Sequence, residues 1–400
     1  MSWSRERAPA VRMATTLVMF WVASAARADG LDAIAGKALF ERTWIAAPSS
    51  TDASDGLGPF FNGRSCAACH AGGGGARIVR APDGSKQLAG AVVRLGTQSG
   101  DADPFYGRQL QTGAVTALMP EANIRFLPKL KITLSGPALA QGIHTSVRVA
   151  PPLWGRAAFD RISDSEILSR ADPDDSNGDG ISGRAHRIGS SGDGGRVGRF
   201  GWKAAHATLQ DQIAHAFSLD MGLSSALQPA PSGDCTRAQQ ACLQAPTGES
   251  ALGGGHEISK TVLGLTAVYL QSLDAPAWPS NHGGAAVFAE TGCARCHVPE
   301  LTASDGSRVV AFTDLLLHDM GQNLDDGVGE EGVPSYEWRT APLRSGNPAT
   351  LGRRYLHDGS ATSIAGAIAK HAGEAAQSRQ AFQKLNSADQ ARLIDYLGGQ

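Results

Sequence analysis

The chain has 400 residues, of which 18% are charged and 42% hydrophobic, and its formal net charge is −2 at pH 7. The length is enough for two domains, and the mild acidity argues against nucleic acid as a partner, for which a basic surface is expected. Glycine is abundant, with 49 residues, and aromatic residues make up only 6%. We therefore expect long irregular loops around a limited helical core.

The N-terminus carries the features of an export signal. Several arginines precede an apolar run that ends in the small-x-small sequence Ala26-Arg27-Ala28. The run is shorter than the about 20 apolar residues that span a bilayer, so we predict cleavage after Ala28, with a retained anchor as the alternative. Residues 1–28 are thus expected to be a signal peptide, and the mature protein to be soluble and periplasmic, with no membrane span.

Two copies of Cys-x-x-Cys-His are the most specific feature of the chain. They are Cys66-Ala-Ala-Cys69-His70 and Cys293-Ala-Arg-Cys296-His297. This spacing lets both thiols form thioether bonds to one haem and places the adjoining histidine against the iron. A single match could be a thiol redox motif or half of a zinc site. Two matches behind an export signal predict two covalently bound haem c groups, called haem 1 and haem 2 in chain order.

The other two cysteines, Cys235 and Cys242, lie in a polar stretch bounded by Pro231 and Pro246. In an oxidising compartment we expect them to form a local disulfide. A redox-active thiol pair is the alternative.

The surroundings of the two motifs repeat. Gly36-Lys-Ala-Leu-Phe40 precedes the first motif and Gly284-Ala-Ala-Val-Phe288 the second, so glycine and phenylalanine share one helix face in both. Each unit also closes with a predicted helix that contains Tyr-Leu, at Tyr269 and at Tyr396. Glycine allows a close approach of helices, so we predict that the opening and closing helices cross in each unit.

The predicted fold class is therefore mainly α, with two cytochrome c-like helical domains. Residues 29–276 would hold haem 1 and residues 277–400 haem 2, with a linker around Trp278. Long loops enlarge the first domain, and two short β-prone pieces, 91–95 and 131–134, are expected to form a small hairpin. A simple electron carrier does not need this bulk, but an enzyme that builds a pocket over one haem does.

Further segments resemble the di-haem oxidoreductases that are related to bacterial di-haem cytochrome c peroxidases and to the di-haem enzyme that matures methylamine dehydrogenase. They cover most of the mature chain and are Arg148-Val-Ala-Pro-Pro152, the acidic segment 171–184, Gly198-Arg-Phe-Gly-Trp-Lys203, Asp314-Leu-Leu-Leu-His-Asp-Met-Gly321, Arg339-Thr-Ala-Pro342, Tyr355-Leu-His-Asp-Gly359 and His371-Ala-Gly-Glu374.

The resemblance implies an enzyme that reduces hydrogen peroxide at haem 1 with electrons delivered through haem 2. Their source would be a small soluble donor such as a cytochrome c or a cupredoxin. Two alternatives stay open: an electron-transfer di-haem cytochrome without peroxide chemistry, and a haem oxidase that acts on an organic or protein substrate.

The two irons are expected to differ in their second axial ligand. For haem 2 we predict His371, which follows His357 at the place where the resembled peroxidases have a methionine; a histidine near a helix end is the alternative. His318 and Met320 are weaker candidates. No histidine or methionine closely follows His70, so haem 1 is expected to be five-coordinate or closed only by water.

The resemblance places a distal carboxylate at Asp160, where the family usually has glutamate, which is one methylene longer. Asp160 would move a proton between the peroxide oxygens; alternatively, it pairs with Arg156 or Arg161, or caps a helix. Arg156 is a candidate for stabilising developing negative charge. Trp202 is the candidate for carrying electrons between the haems, with Trp154 as the alternate and core packing as the competing explanation.

An acidic segment offers oxygen ligands at alternate positions. Asp172, Asp175, Asn177 and Asp179 are of the type that Ca²⁺ prefers, and the last three match the first half of an EF-hand loop. The match ends there, because position twelve is His186 rather than glutamate. Related di-haem peroxidases use calcium, so we predict a calcium site here, with a solvated acidic turn as the alternative.

Overall fold

A computed structural model describes residues 18–51, 53–81, 83–189, 195–251, 253–274, 282–343 and 353–398. The predicted signal peptide 1–28 lies partly outside the described residues, and the predicted linker around Trp278 lies outside them entirely. Helix α1, Val18–Glu41, runs through the predicted cleavage site at Ala28. No helix in the described part of the chain is both long and apolar enough to cross a membrane.

The described residues contain further α-helices, most of them short, and 3-10 turns. The helices are α2 Cys66–Cys69, α3 Asp164–Leu168, α4 Leu209–Met221, α5 Gln240–Leu243, α6 Lys260–Gln271, α7 His282–Glu290, α8 Ile364–Ala369, α9 Ala376–Lys384 and α10 Ser387–Gly398. The 3-10 turns are Ala71–Gly73, Arg156–Arg161, Cys293–Arg295 and Gly373–Ala375. Both haem motifs thus begin on a single helical turn.

The described strands are short, antiparallel and distributed over seven small sheets. The pairs are β1 Phe60–Phe61 with β6 Gly113–Ala114, β2 Arg77–Arg80 with β3 Lys86–Ala89, β7 Ala122–Arg125 with β8 Lys131–Leu134, β10 Arg187–Ile188 with β11 Arg196–Val197, β12 Glu300–Thr302 with β13 Arg308–Val310, and β14 Leu317–Asp319 with β15 Glu337–Arg339; β4 Ala91–Gly96 lies between β5 Gln109–Leu110 and β9 His144–Val149.

The predicted mainly α fold class, with two cytochrome c-like helical domains, was wrong. Strands and loops make up too much of the chain, with 29% helix against 20% strand. Many strands have only two to four residues, too few for an alternating hydrophobic pattern to show in the sequence. The predicted hairpin was wrong as well: Ala91–Gly96 pairs with His144–Val149, and Lys131–Leu134 pairs with Ala122–Arg125.

The predicted helix crossings are confirmed. A Cβ atom added to Gly36 on α1 would lie 2.0 Å from the carbonyl oxygen of Leu265 on α6. One turn further, the rings of Phe40 and Tyr269 lie 5.1 Å apart. Helices α7 and α10 repeat the arrangement, because a Cβ atom on Gly284 would lie 2.5 Å from that of Tyr396. Only glycine permits these backbones to approach so closely.

Each crossing belongs to a separate apolar cluster. The first cluster includes Phe40, Phe217 and Leu270, and the half-buried Cys66 packs against it. The second is smaller and is formed by Val287, Phe288, Phe312, Phe382, Leu393 and Tyr396, with Cys293 packed against it. Both haem motifs therefore lie at the edge of a packed core that fixes the cysteine positions. The predicted disulfide between Cys235 and Cys242 is confirmed.

Candidate functional site

His297 and His371 face each other across a gap. Their ring centres are 6.5 Å apart and their planes are inclined by 46°. The Nδ1 atom of His297 lies 3.1 Å from the carbonyl oxygen of Phe312, and that of His371 lies 2.9 Å from the carbonyl oxygen of Ala367. When Nδ1–H donates to these carbonyls, each Nε2 atom keeps a free lone pair.

His70, the histidine of the first motif, is held in the same way. Its Nδ1 atom lies 3.3 Å from the carbonyl oxygen of Gly74. Burial lowers the pKa of His70 to about 4, and burial followed by repulsion from His371 lowers that of His297 to about 4. Both imidazoles are therefore neutral at pH 7, the state in which a histidine binds a metal. Among the described residues, no second imidazole ring faces His70 as His371 faces His297.

The motif thiols are unpaired and lie in apolar surroundings. Burial, followed by repulsion from neighbouring acidic groups, raises the pKa of Cys66 and of Cys69 to about 12. Burial also raises the pKa of Cys293. Free thiols of this kind act as small apolar groups, so their surroundings suit thioether attachment rather than a thiolate redox pair.

A cavity of about 260 Å³ extends from the second motif towards the first. It is lined by Cys293, Cys296, His297 and His371 from the second motif and its facing histidine. The segment Ala150-Pro151-Pro152, Trp154 and Arg156 line it as well. This volume lies just below the roughly 300–1,000 Å³ that ligand sites typically enclose.

The residues present fit a haem. Three histidines have Nδ1 beside a backbone carbonyl oxygen, and each follows a cysteine pair or faces a histidine that does. Two buried polar atoms near the sites lack any partner, Nη1 of Arg77 and Oγ1 of Thr340. Arg77 lies close enough to Cys69 to lower its pKa, and Thr340 lines the cavity. Orphaned buried donors of this kind normally indicate a missing polar ligand.

Asp160 lies outside this cavity. It is exposed, and its Oδ1 atom accepts a hydrogen bond of 3.0 Å from the backbone N–H of Leu209, the first residue of α4. That is the helix-capping arrangement considered as an alternative. Arg156 does line the cavity, and its Nε atom donates to the carbonyl oxygen of Pro152. The acid–base role of Asp160 stays a prediction.

The two tryptophans named from the sequence both line the cavity. Trp202 donates from Nε1 to the carbonyl oxygen of Val149 at 2.9 Å. A Cβ atom on Gly73 would lie 3.2 Å from Nε1 of Trp154, so Trp154 packs closely against the segment that follows His70. Both rings are therefore held at the cavity wall, and the electron-carrying role of Trp202 stays a prediction.

The acidic segment folds on itself. The carboxylate of Asp172 accepts from the backbone N–H groups of Ser176 and Asn177, and that of Asp175 accepts from Gly180. The oxygens of Asn177 and Asp179 accept from the N–H two residues further on. The side-chain oxygens thus serve the backbone of the turn, and the calcium site stays a prediction.

Sequence reasoning missed a buried ion cluster beside haem motif 2. Nε2 of His318 lies 3.0 Å from Asp314, and its Nδ1 lies 2.6 Å from Glu374. Burial opposes protonation of His318, but the hydrogen bonds to Asp314, Cys296 and Glu374 raise its pKa well above its usual range. Glu374 also accepts from Ser182. The i, i+4 spacing of Asp314 and His318 was the available signal; Glu374 could not be foreseen.

Trp338 was missed too. Its ring stacks on that of His357 at 3.7 Å with an angle of 11°, and Nζ of Lys203 lies 3.8 Å from its centre on a buried side chain. The Nε2 atom of His357 lies 3.3 Å from the Oδ2 atom of Asp326. Trp338 lines the cavity as well, so it is a third tryptophan there besides Trp154 and Trp202.

A comparison with known families identifies the class of protein. Residues 133–399 match the family described as "Di-haem oxidoreductase, putative peroxidase". The match covers more than half of the chain, which therefore belongs to this family of haem-dependent oxidoreductases. It includes the second motif and His371, whereas the first motif, Cys66 to His70, lies before it. No curated protein and no solved structure matches the chain.

Proposed function

We propose that the chain is an exported di-haem c-type oxidoreductase that reduces hydrogen peroxide at haem 1 with electrons received through haem 2. The observation that carries the proposal is an asymmetry between the motifs. His297 has a facing partner in His371 at 6.5 Å, and in the described residues His70 has none. One iron would be closed on both sides and the other open to a small ligand.

The spacing of His297 and His371 supports ligation of one iron by both. Metal–imidazole bonds are about 2 Å long, so two ring centres on opposite sides of one metal lie roughly 6 Å apart. The backbone carbonyls of Phe312 and Ala367 hold each ring by Nδ1. Such contacts fix the orientation of a metal-bound imidazole and increase its basicity. A bis-histidine haem has a low potential compared with one bound by histidine and methionine.

Cys66 and Cys69 would attach haem 1, and Cys293 and Cys296 would attach haem 2. When bound, the haem iron supplies one-electron transfer and the redox step with peroxide. Reduction of hydrogen peroxide to water consumes an electron pair and a proton pair, so the chain must deliver both.

The chain's own residues would orient the reactants. Trp154 and the segment Ala150-Pro151-Pro152 form an apolar wall, which excludes water. Arg156 presents a positive charge to the same space, and burial, then repulsion from Arg339 and Arg353, lowers its pKa to about 9. Asp160 is the proposed proton carrier, and Trp202 the proposed electron path between the haems.

The electron donor and the location follow from the same hypothesis. A small soluble cytochrome c or cupredoxin would reduce haem 2, and the protein would act in the periplasm after loss of residues 1–28. Covalent haem attachment outside the cytoplasm and the Cys235–Cys242 disulfide both agree with an exported protein.

A second candidate function is a di-haem electron carrier without peroxide chemistry. The position of Asp160 favours it, because this carboxylate is exposed and engaged by the N-terminus of α4. On this alternative, the large first unit would have another purpose.

A peroxide titration of the purified holoprotein, followed by optical absorption, tests the proposal. Two covalently attached haems should first be established by intact mass in denaturant. The proposal predicts that peroxide changes the absorption of one haem at a stoichiometry near one. If neither the oxidised nor the half-reduced protein responds to peroxide, the electron-carrier function replaces the peroxidase proposal.

A further inference from the structure

The wall of the cavity has an excess of positive charge. Besides histidines, cysteines and one tyrosine, its titratable lining residues are five arginines and a single carboxylate. The arginines come from distant parts of the sequence and are Arg156, Arg339, Arg353, Arg354 and Arg379. Arg339 is buried, and buried charges are normally paired, so this composition indicates an anionic group inside the cavity.

Arg156 and Arg339 lie close enough together in the cavity wall for their positive charges to repel each other. Arg156 donates from Nε to the carbonyl oxygen of Pro152. Arg339, 6% exposed, donates from Nε to the carbonyl oxygen of Gly201 at 2.8 Å and from Nη1 to that of Thr340 at 3.0 Å. Carbonyl groups orient a guanidinium but leave its charge uncompensated. Within the described residues, neither arginine forms an ion pair.

The nearby carboxylates are already committed. Glu374 accepts hydrogen bonds from His318, Ser182 and the backbone of Asp319. Asp314, which lies near Arg339, is bound to the opposite nitrogen of His318 at 3.0 Å. One imidazolium therefore lies between the two carboxylates and engages both of them. In the described part of the chain, no carboxylate forms an ion pair with Arg156 or Arg339, so an anionic group inside the cavity would find both guanidinium groups available.

The neighbouring residues indicate which anion this is. The cavity that is lined by Arg156 and Arg339 is also lined by Cys293, Cys296 and His371, so it would hold the cofactor attached at the second motif. Arg156 also lies near enough to His70 of the first motif to lower its pKa. A haem carries paired propionate carboxylates on one edge. Guanidinium groups bind carboxylates in charge-assisted, often bidentate pairs.

We propose that Arg156 and Arg339 together bind the propionate carboxylates of haem 2 and so set its reduction potential. This inference rests on the proposed function, because it requires a haem at Cys293 and Cys296. It gives Arg156 a cofactor-positioning role instead of the charge-stabilising catalytic role expected from the sequence.

The test is a potentiometric titration of haem 2 in the holoprotein and its variants. Arg156→Gln and Arg339→Gln each remove a positive charge from the cavity wall that opposes the ferric state. Each should lower the reduction equilibrium constant of haem 2 about tenfold, or about 59 mV. Arg339→Lys keeps the charge and should stay within about threefold of the wild type.

The matched control is Arg392→Gln. Arg392 lies on α10, is 59% exposed and pairs with Asp389, so its loss should leave the potential of haem 2 unchanged. Because the haem would be held by thioether bonds and His371, all variants should retain full haem content and the low-spin EPR signal of haem 2. These readouts show that a variant is folded before its potential is compared.

The possible outcomes separate the proposed function from the propionate assignment. If neither the wild type nor any variant carries covalent haem, the proposed function fails. If both haems are present but Arg156→Gln and Arg339→Gln match Arg392→Gln, the propionate assignment fails alone. A small free carboxylate could bind the same two arginines in place of the haem propionates. Acetate serves as the probe for this alternative. A saturable rise of the wild-type unfolding temperature with acetate, absent from the Arg156→Gln/Arg339→Gln double variant, would overturn the haem assignment.

Discussion

Replacing Gly36 by alanine tests the most specific packing feature of the fold. The added Cβ would lie 2.0 Å from the carbonyl oxygen of Leu265 and 2.8 Å from Cβ of Tyr269. Real Cβ atoms do not approach a backbone oxygen so closely, and neither atom belongs to the flexible end of a side chain. Helices α1 and α6 must therefore move apart.

Two opposing effects set the change in the free energy of unfolding of Gly36→Ala. Alanine favours a helix over glycine by about 1 kcal/mol, which stabilises α1. Forcing extra volume into a packed contact costs typically 1–3 kcal/mol and sometimes more. Because the closest contact is with the backbone of α6, we expect the clash to win and the free energy of unfolding to fall by about 1–2 kcal/mol.

Gly264 provides a matched control. It lies on α6 next to Leu265, and a Cβ atom there would meet nothing within 4 Å. Gly264→Ala should therefore show the helix-propensity gain alone, a stabilisation of about 0.5–1 kcal/mol. Glycine-to-alanine substitution should therefore lower the free energy of unfolding at Gly36 on α1 and raise it at Gly264 on α6.

Urea unfolding followed by far-ultraviolet circular dichroism measures both variants against the wild type. The reasoning predicts a lower midpoint for Gly36→Ala and a higher one for Gly264→Ala. If Gly36→Ala is as stable as the wild type or more stable, the close crossing of α1 and α6 is refuted.

Three other predictions follow from the site and its surroundings. His371→Met should raise the potential of haem 2, because methionine ligation raises haem potentials; an unchanged potential and spectrum would show that this position does not bind the iron. Asp160→Asn keeps an acceptor for the N–H of Leu209, so stability should persist while the rate with peroxide falls about 10²–10⁴-fold. An unchanged rate would leave Asp160 its helix-capping role alone. Burial raises the pKa of Glu121 from 4.5 to about 7. The folded state then holds a proton that the unfolded chain has released, so the free energy of unfolding should fall as the pH rises from about 4.5 to 7. Glu121→Gln should flatten this fall in urea titrations at several pH values, and an unchanged slope would contradict the assignment.

Local patterns predicted the helix crossings. The pairs Gly36–Phe40 and Gly284–Phe288 stand four residues apart, a spacing that helix geometry alone places on one face. The cysteine motifs can also be recognised locally, because each consists of five consecutive residues. These features need no knowledge of the rest of the chain.

Long-range pairing could not be read in this way. The partner of β4 is β9, about fifty residues later in the chain, and nothing in either segment selects it over the closer β8. The carboxylate of Glu374 reaches His318 from a 3-10 turn, and Arg339 meets Arg156 only through the tertiary fold. Such contacts depend on loop paths that composition predicts only as long and irregular.

We propose that the two haem irons differ in their ligands, and low-temperature EPR of the oxidised holoprotein tests this difference most directly. We predict one low-spin ferric haem, bound by His297 and His371, and one high-spin ferric haem, bound by His70, whose signal is lost when peroxide is added. Two low-spin haems that remain low-spin and inert to peroxide after one-electron reduction would contradict the claim.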